Sequence, residues 1–177
     1  EIWDHGVGIQ AFFTEGFRDR GNFNSGLDGA VDFQLYFALN DALTKPFGWT
    51  EGLARVYYVL AQDILYKNAN RNVTFLDNHD LSRFYSVVGG DIRKFKMGIA
   101  FLMTMRGIPS MYYGTEILMK GFANPDGHVR SDFPGGWASD AKNKFTSQGR
   151  TEEENQGFDF VRKLAQWRKA NPVVQSG

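Results

Sequence analysis

Four consecutive polar residues, Asp77, Asn78, His79 and Asp80, follow the run Val73, Thr74, Phe75 and Leu76, and a further carboxyl group, Glu1, opens the chain ahead of Ile2 and Trp3. The run has the composition of a strand buried on both faces, so the polar set stands at the C-terminal end of a core element. Asn and Asp are favoured turn and helix-cap residues, which accounts for Asn78 and one of the acids. A His and a second carboxylate exceed what a turn requires. Such groups, held at the end of a rigid element, can exchange protons with a substrate and stabilise developing charge. Asp126 and Arg130, four apart in a polar stretch, read from residue type and spacing as an exposed loop ion pair. Trp3 reads equally as a stacking surface and as a core aromatic. Arg83 is expected to be buried or half-buried as a partner of nearby carboxylates.

The elements that must carry these groups alternate between strand and helix. After Glu1, Ile2 and Trp3 comes a loop rich in Gly, Asn and Asp, then a short strand over Leu27 to Phe33 that runs into a helix near Gln34 to Leu43. Pro46 and Gly48 break the chain, and Thr50 opens a second helical segment to about Lys67, with Leu53, Val56, Tyr57, Leu60 and Ile64 on an inward face. The strand at Val73 to Leu76 follows. Asp91 caps a helix with Ile92, Phe95, Ile99, Leu102 and Met103 at helical spacing, and Gly107 stops it. Ile108 to Glu116 reads as another buried strand, ending at Gly114, before a long polar loop from Ile117 to Arg150. Thr151 and Glu154 form a capping box, and the helix they start carries Phe158, Val161, Leu164, Ala165 and Trp167 up to Asn171 and Pro172. Strands that alternate with helices in this way require a parallel sheet, open or closed into a barrel.

Composition narrows the choice. Lys plus Arg and Asp plus Glu are 20 each, so no basic field is present to hold a nucleic acid. The absence of Cys removes disulfides, thiolate metal sites and a Cys nucleophile while leaving the compartment open. The longest apolar candidate, Met97 to Met105, is half of what a membrane span needs. An open nucleotide-binding sheet would show a Gly-rich phosphate loop, but Val87-Val88-Gly89-Gly90-Asp91 lacks that spacing. Polar or aromatic groups stand instead at the C-terminal end of each expected strand: Glu1 and Trp3, Asp32, Asp77 to Asp80, then Tyr113 and Glu116. In a (β/α) barrel those ends gather at one mouth, where such proteins place their chemistry. Glu116, Tyr113 and Gly114 read as architectural. His5 and His128 lack metal-ligand spacing, and the calcium-loop look of Asp19 to Gly29 fails where the expected bidentate Glu is Ala30. The start at Glu1, with no Met and no leader, reads as an excised piece of a longer protein.

Three segments together, EIWDH at Glu1 to His5, FLDNHD at Phe75 to Asp80 and GIPSMYYGTE at Gly107 to Glu116, resemble successive motifs of the α-amylase family of retaining glycoside hydrolases, in that family's order. The stretch from Gly114 to Trp137 is similar to the corresponding loop of the neopullulanase and cyclomaltodextrinase branch. The resemblance implies an α/β fold, a (β/α)8 TIM barrel, of which residues 1–177 would be the C-terminal half, from the end of strand five to the last helix, with no second domain. It implies that Glu1 is the general acid/base, that Asp80 fixes sugar hydroxyls and stabilises the transition state, and that His79 donates to a hydroxyl beside it. Trp3, Asp126 and Arg130 would be substrate-binding residues. The family's nucleophilic Asp has no counterpart here, so the chain alone is expected to be inactive.

The implied activity is retaining cleavage of α-1,4, and by extension α-1,6, glucosidic bonds in maltooligosaccharides, cyclodextrins or pullulan. A transglycosylase using the same residues and a non-catalytic carbohydrate-binding or scaffold relative are the alternatives. No cofactor is implied for this segment and no metal ligand is assigned, with calcium left open for the intact enzyme. The implied partners are an α-glucan oligosaccharide or polysaccharide and the rest of the same barrel. A homodimer is left open, and no nucleic acid or membrane is expected. A periplasmic or secreted bacterial enzyme is the expectation, with a cytoplasmic one not excluded.

Overall fold

The computed structural model describes residues 1–17 and 23–174. Its contacts divide the chain into two compact units, one formed by Glu1–Leu76 with Thr104–Ser110 and the residues from Asn171 on, the other by Asp77–Met103 with Met111–Ala170.

The first unit begins with a short helix α1 (Val7–Phe12), in a stretch expected to be loop. Helix α2 (Phe33–Thr44) starts one residue earlier than the sequence suggests, because the Asp32 carboxylate accepts the Leu35 N–H at 3.0 Å and caps it. The strand expected over Leu27 to Phe33 is accordingly reduced to one parallel bridge, Val31 to Val73. Helix α3 (Leu53–Ala61) packs on α2. It is much shorter than the segment expected from Thr50 to Lys67, since a 3-10 turn at Asp63–Leu65 interrupts it and shifts the phase. The inward stripe within α3 runs through Ala54, Val56 and Val59, whereas Tyr57 in the same helix and Ile64 in the turn are 68% and 88% exposed.

Strand β1 is Val73–Thr74 rather than Val73 to Leu76. It pairs in parallel with β2 (Ile108–Pro109), Val73 opposite Ile108 and Thr74 opposite Pro109. The strand expected from Ile108 to Gly114 stops there, and Ile108 is half exposed rather than buried. The ladder ends with Ser110 N–H donating to the Thr74 carbonyl at 2.7 Å. Close approach at the start of β2 depends on Gly107, at φ 96°, where a Cβ would meet Asn72 O at 2.8 Å.

Phe33, Tyr36 and Phe75 form the aromatic centre of this unit, Tyr36 stacked on Phe75 with ring centres 5.1 Å apart. Beside it, Arg106 donates to both Asp63 oxygens at 2.5 and 2.6 Å and to Asp32 at 2.7 Å. Asp32 is wholly buried, so this acid, expected at the barrel mouth, is a cap and an ion-pair partner instead.

The second unit holds α4 (Phe84–Val87), α5 (Ile92–Thr104) and α6 (Glu152–Ala170). Asp91 opens α5 as expected: its carboxylate accepts the Arg93 N–H at 2.8 Å and its carbonyl the Phe95 N–H at 2.9 Å. The capping box of α6 is also present, with Thr151 N–H to Glu154 at 2.8 Å and Glu154 N–H to Thr151 Oγ1 at 3.2 Å. The inward residues of α6 are Gly157, Val161 and Arg168, while Ala165 and Trp167 face out. Gly157 lets Leu118 lie against the helix, and Arg168 reaches in to donate to the Met103 carbonyl at 2.8 Å.

The loop from Ile117 to Arg150 contains 3-10 turns at Asp126–Arg130 and Ser147–Gly149 and is sewn down at its far end. There Lys144 pairs with Glu154, and Arg150 donates to the Lys144 carbonyl and lies 4.0 Å from the Phe158 ring centre. Among the described residues no helix is long and apolar enough to cross a membrane.

Candidate active site

The polar run after β1 divides into two structural and two outward-facing residues. Asp77 is buried, and its carboxylate accepts the Phe84 N–H at 2.9 Å and the Thr115 hydroxyl at 2.9 and 3.0 Å. It thereby closes residues 77–84 into a loop and ties that loop to the turn after Gly114. Burial pushes the Asp77 carboxyl up, opposed by these hydrogen bonds and by the Arg83 charge. Asn78 accepts the Asp80 N–H at 2.9 Å, a side-chain turn that sets the backbone of Asp80. With both ends held, His79 projects into solvent and Asp80 is half-buried, their side chains 3.3 Å apart from Nε2 to Oδ2.

Arg83 is wholly buried, but it pairs differently from expectation. Its hydrogen bond goes to the Tyr113 carbonyl, and its guanidinium lies 4.2 and 4.7 Å from the Tyr112 and Tyr113 ring centres. Its relation to the carboxylates is through charge alone: it lowers both Asp77 and Glu116, against a larger effect of burial that pushes each up. Gly114 is architectural as expected, at φ 80° with Met119 Sδ filling the position a Cβ would take.

Asp126 and Arg130 do pair, at 3.2 Å, and Arg130 does more than that. Its Nη2 donates to Asp80 Oδ1 at 2.6 Å and its Nε to the His79 carbonyl at 2.8 Å. One guanidinium thus clasps two consecutive residues, a charge-assisted fork that fixes the Asp80 carboxylate. Gly121 makes the approach possible, since a Cβ there would meet the His128 carbonyl oxygen at 2.5 Å. The second unit therefore brings His79, Asp80, Asp126 and Arg130 into one group.

Glu1 and Trp3 belong to the first unit. Both are exposed, Trp3 Nε1 lies 3.4 Å from Glu1 Oε2, and the indole sits 4.5 Å from the Phe33 ring. Trp3 therefore has one side on the core and an open remainder. Glu1 also borders an open, mainly apolar cleft of about 570 Å³ with Phe13, Leu27, Val31 and Val73. His5 stacks on Phe37 at 4.4 Å. Among the described residues no three His, Asp or Glu side chains converge to hold a metal ion, and part of the Asp19 to Gly29 stretch lies outside the described residues.

Sequence reasoning missed Thr115 as the second anchor of Asp77. The signal was its place between Gly114 and Glu116 in a motif already singled out. Tyr113, expected to be architectural, donates its hydroxyl to the Ser131 carbonyl at 2.7 Å and so holds the loop next to Arg130.

A family model described as "Alpha amylase, catalytic domain" matches residues 22–176. A cyclomaltodextrin glucanotransferase of Thermoanaerobacterium thermosulfurigenes is 35% identical over 147 residues, covering 83% of this chain and 18% of its own length. An alpha-amylase of Niallia circulans is 37% identical over 112 residues, covering 63% of this chain and 18% of its own. Among solved structures, the alpha-amylase from Geobacillus thermoleovorans, complexed with acarbose, superposes with a TM-score of 0.71 at 28% identity, over 99% of this chain and 34% of that one. The chain thus spans less than a fifth of the length of these curated relatives.

Proposed function

Because this chain belongs to the α-amylase catalytic-domain family, whose members are (β/α)8-barrel glycosidases and glucan transferases, we propose that it forms the second half of such a barrel in a protein that cleaves α-glucosidic bonds with retention of configuration. The substrates are α-1,4-linked, and also α-1,6-linked, maltooligosaccharides, cyclodextrins or pullulan. The loop from Gly114 to Trp137 supports placement near the neopullulanase and cyclomaltodextrinase branch.

The observation that carries this reading is the fork of Arg130 on His79 and Asp80. Cleavage of a glycosidic bond passes through an oxocarbenium-like state, in which positive charge develops on the sugar ring. A carboxylate already held in place stabilises that charge without reorganising, and Asp80 is such a group. Arg130 keeps Asp80 oriented through one oxygen, leaving the remaining lone pairs for sugar hydroxyls, and His79 supplies a donor on the same edge. Asp126, on the other side of Arg130, accepts hydroxyls further along the glucan. Glu1 is the general acid/base: it protonates the leaving oxygen and then deprotonates the incoming water. The nucleophile, which must stand about 5 to 5.5 Å from the acid/base in a retaining enzyme, comes from the part of the protein ahead of Glu1. The chain by itself is inactive.

A transferase reading is favoured by one specific observation, the glucanotransferases among the relatives. The same residues would serve, with a sugar hydroxyl replacing water.

The test uses the full-length protein with maltoheptaose, following products by chromatography and their anomeric form by proton NMR, with and without added glucose as acceptor. α-Anomeric products and a loss of at least about 100-fold in kcat for Asp80→Asn at unchanged melting temperature are expected. Loss of less than tenfold would reduce Asp80 to a turn residue. Dominant longer or cyclic products would assign the protein as a transferase.

A further inference from the structure

We propose that Trp137 is a stacking platform for a glucose ring, an additional α-glucan position joined to the Asp80 group through the loop backbone. The proposal rests on the α-glucan reading of that group.

Trp137 is 63% exposed, yet it is held in place. Its indole N–H donates to Asp132 Oδ2 at 2.9 Å, and its backbone N–H donates to Asp140 Oδ2 at 3.2 Å. The same Asp140 oxygen accepts the Gly135 N–H at 2.6 Å, closing a tight turn that only Gly135, at φ 106° and packed against Asn143, can make. One edge of the indole is thus fixed, and among the described residues no aromatic ring or cation stacks on it.

An exposed aromatic with its position set by two carboxylates loses little freedom on binding, which is the basis of a preorganised recognition surface. Three adjacent residues link it to Asp80. Arg130 donates to Asp80, the Ser131 carbonyl accepts from Tyr113, and Asp132 accepts from Trp137. Arg130 and Asp132 are two residues apart, so their Cα atoms lie within about 7 Å. The indole is therefore coupled to the segment that orients Asp80 and does not belong to a separate surface feature.

The surroundings select the ligand. Ser139, Asp140, Lys142 and Asn143 in the segment that follows are all exposed, so the ring has a mainly polar flank, and the loop's Phe133 and Phe145 stack on each other, 4.4 Å apart, instead of on it. A protein partner would require a broader apolar patch around the aromatic. A pyranose has an apolar C–H face bounded by hydroxyls, which matches an exposed ring whose N–H groups are held by the Asp132 and Asp140 carboxylates.

The experiment is calorimetric titration of the full-length protein carrying Glu1→Gln, which prevents turnover and leaves the Asp80–Arg130 pair in place. Maltoheptaose and maltotriose are the probes. Adding Trp137→Ala should weaken maltoheptaose binding by about threefold to tenfold, leave maltotriose binding within twofold, and be largely reversed by Trp137→Phe. Unchanged maltoheptaose affinity overturns the platform, as does equal weakening for both sugars. A Phe variant as weak as Ala, with the melting temperature of its parent, also overturns it. If the parent binds neither sugar, the α-glucan reading itself falls and the platform with it. A parent that binds maltoheptaose without regard to residue 137 removes the platform alone.

Discussion

Replacing Asp77 separates the architecture of the Asp80 loop from its chemistry. The Asp77 carboxylate accepts two buried donors, the Phe84 N–H and the Thr115 hydroxyl, both near 2.9 Å. Asp77→Ala leaves them without a partner. A buried donor stripped of its acceptor costs about 1 to 3 kcal/mol, and the Thr115 hydroxyl, free to rotate, falls at the low end, so a total of about 2 to 4 kcal/mol is expected. At roughly 2 to 4 °C per kcal/mol for a domain of this size, the melting temperature should fall by about 5 to 15 °C.

Asp77→Asn retains an acceptor for Phe84 and gains a donor for Thr115, and it should cost little. It also removes a charge that burial penalises. Since the folded carboxyl is pushed up, the native state binds more protons than the unfolded one, and the native Asp77 loses stability as pH rises from about 4 through its raised range. The advantage of Asn over Asp should therefore grow over that interval and then level off. The assay is thermal unfolding of the full-length protein and its two variants between pH 4 and 8, with turnover of maltoheptaose measured alongside. An Asp77→Ala protein melting within 2 °C of the parent would falsify the latch. An Asn-minus-Asp difference that shrinks with rising pH would refute the electrostatic part.

Arg106→Met should cost about 3 to 5 kcal/mol of unfolding free energy in a urea titration, because it strands the wholly buried Asp32 and its partner Asp63; adding Asp32→Asn should recover part of that loss, and no recovery would contradict the ion-pair account. Glu1→Gln should be nearly inactive on maltooligosaccharides yet release a burst of fluoride from α-maltosyl fluoride, since an activated leaving group needs no proton and only the later water attack does. Equal loss on both substrates without a burst would place the acid elsewhere.

The helices were legible wherever periodicity coincided with a cap. Thr151 with Glu154 and Asp91 before Ile92 each marked a start that the structure keeps. Helix α3 misled in two ways: a 3-10 turn past Ala61 changes the phase before Ile64, which no spacing rule sees, and Tyr57 within the helix faces out. The strands were overestimated because the Phe75–Leu76 and Met111–Tyr113 stretches are apolar or aromatic like β1 and β2 but make no ladder pairs. At the site, His79 and Asp80 stood out by exceeding the needs of a turn. The bond between Asp80 and Arg130 spans 50 residues, and the closure of Asp77 on Thr115 spans 38, so neither leaves a local pattern.

A loop sewn down at residues 130–132 and again at 144–150 can change length between those seams without moving Asp80. Insertions after Trp137 would extend the surface, because long insertions between fixed ends cost little closure entropy. A deletion between Asp126 and Asp132 would uncouple the guanidinium from the carboxylate. On the proposed reading, descendants of such a scaffold can diversify the ligands they accept by loop length alone, while the Asp80–Arg130 pair is inherited unaltered.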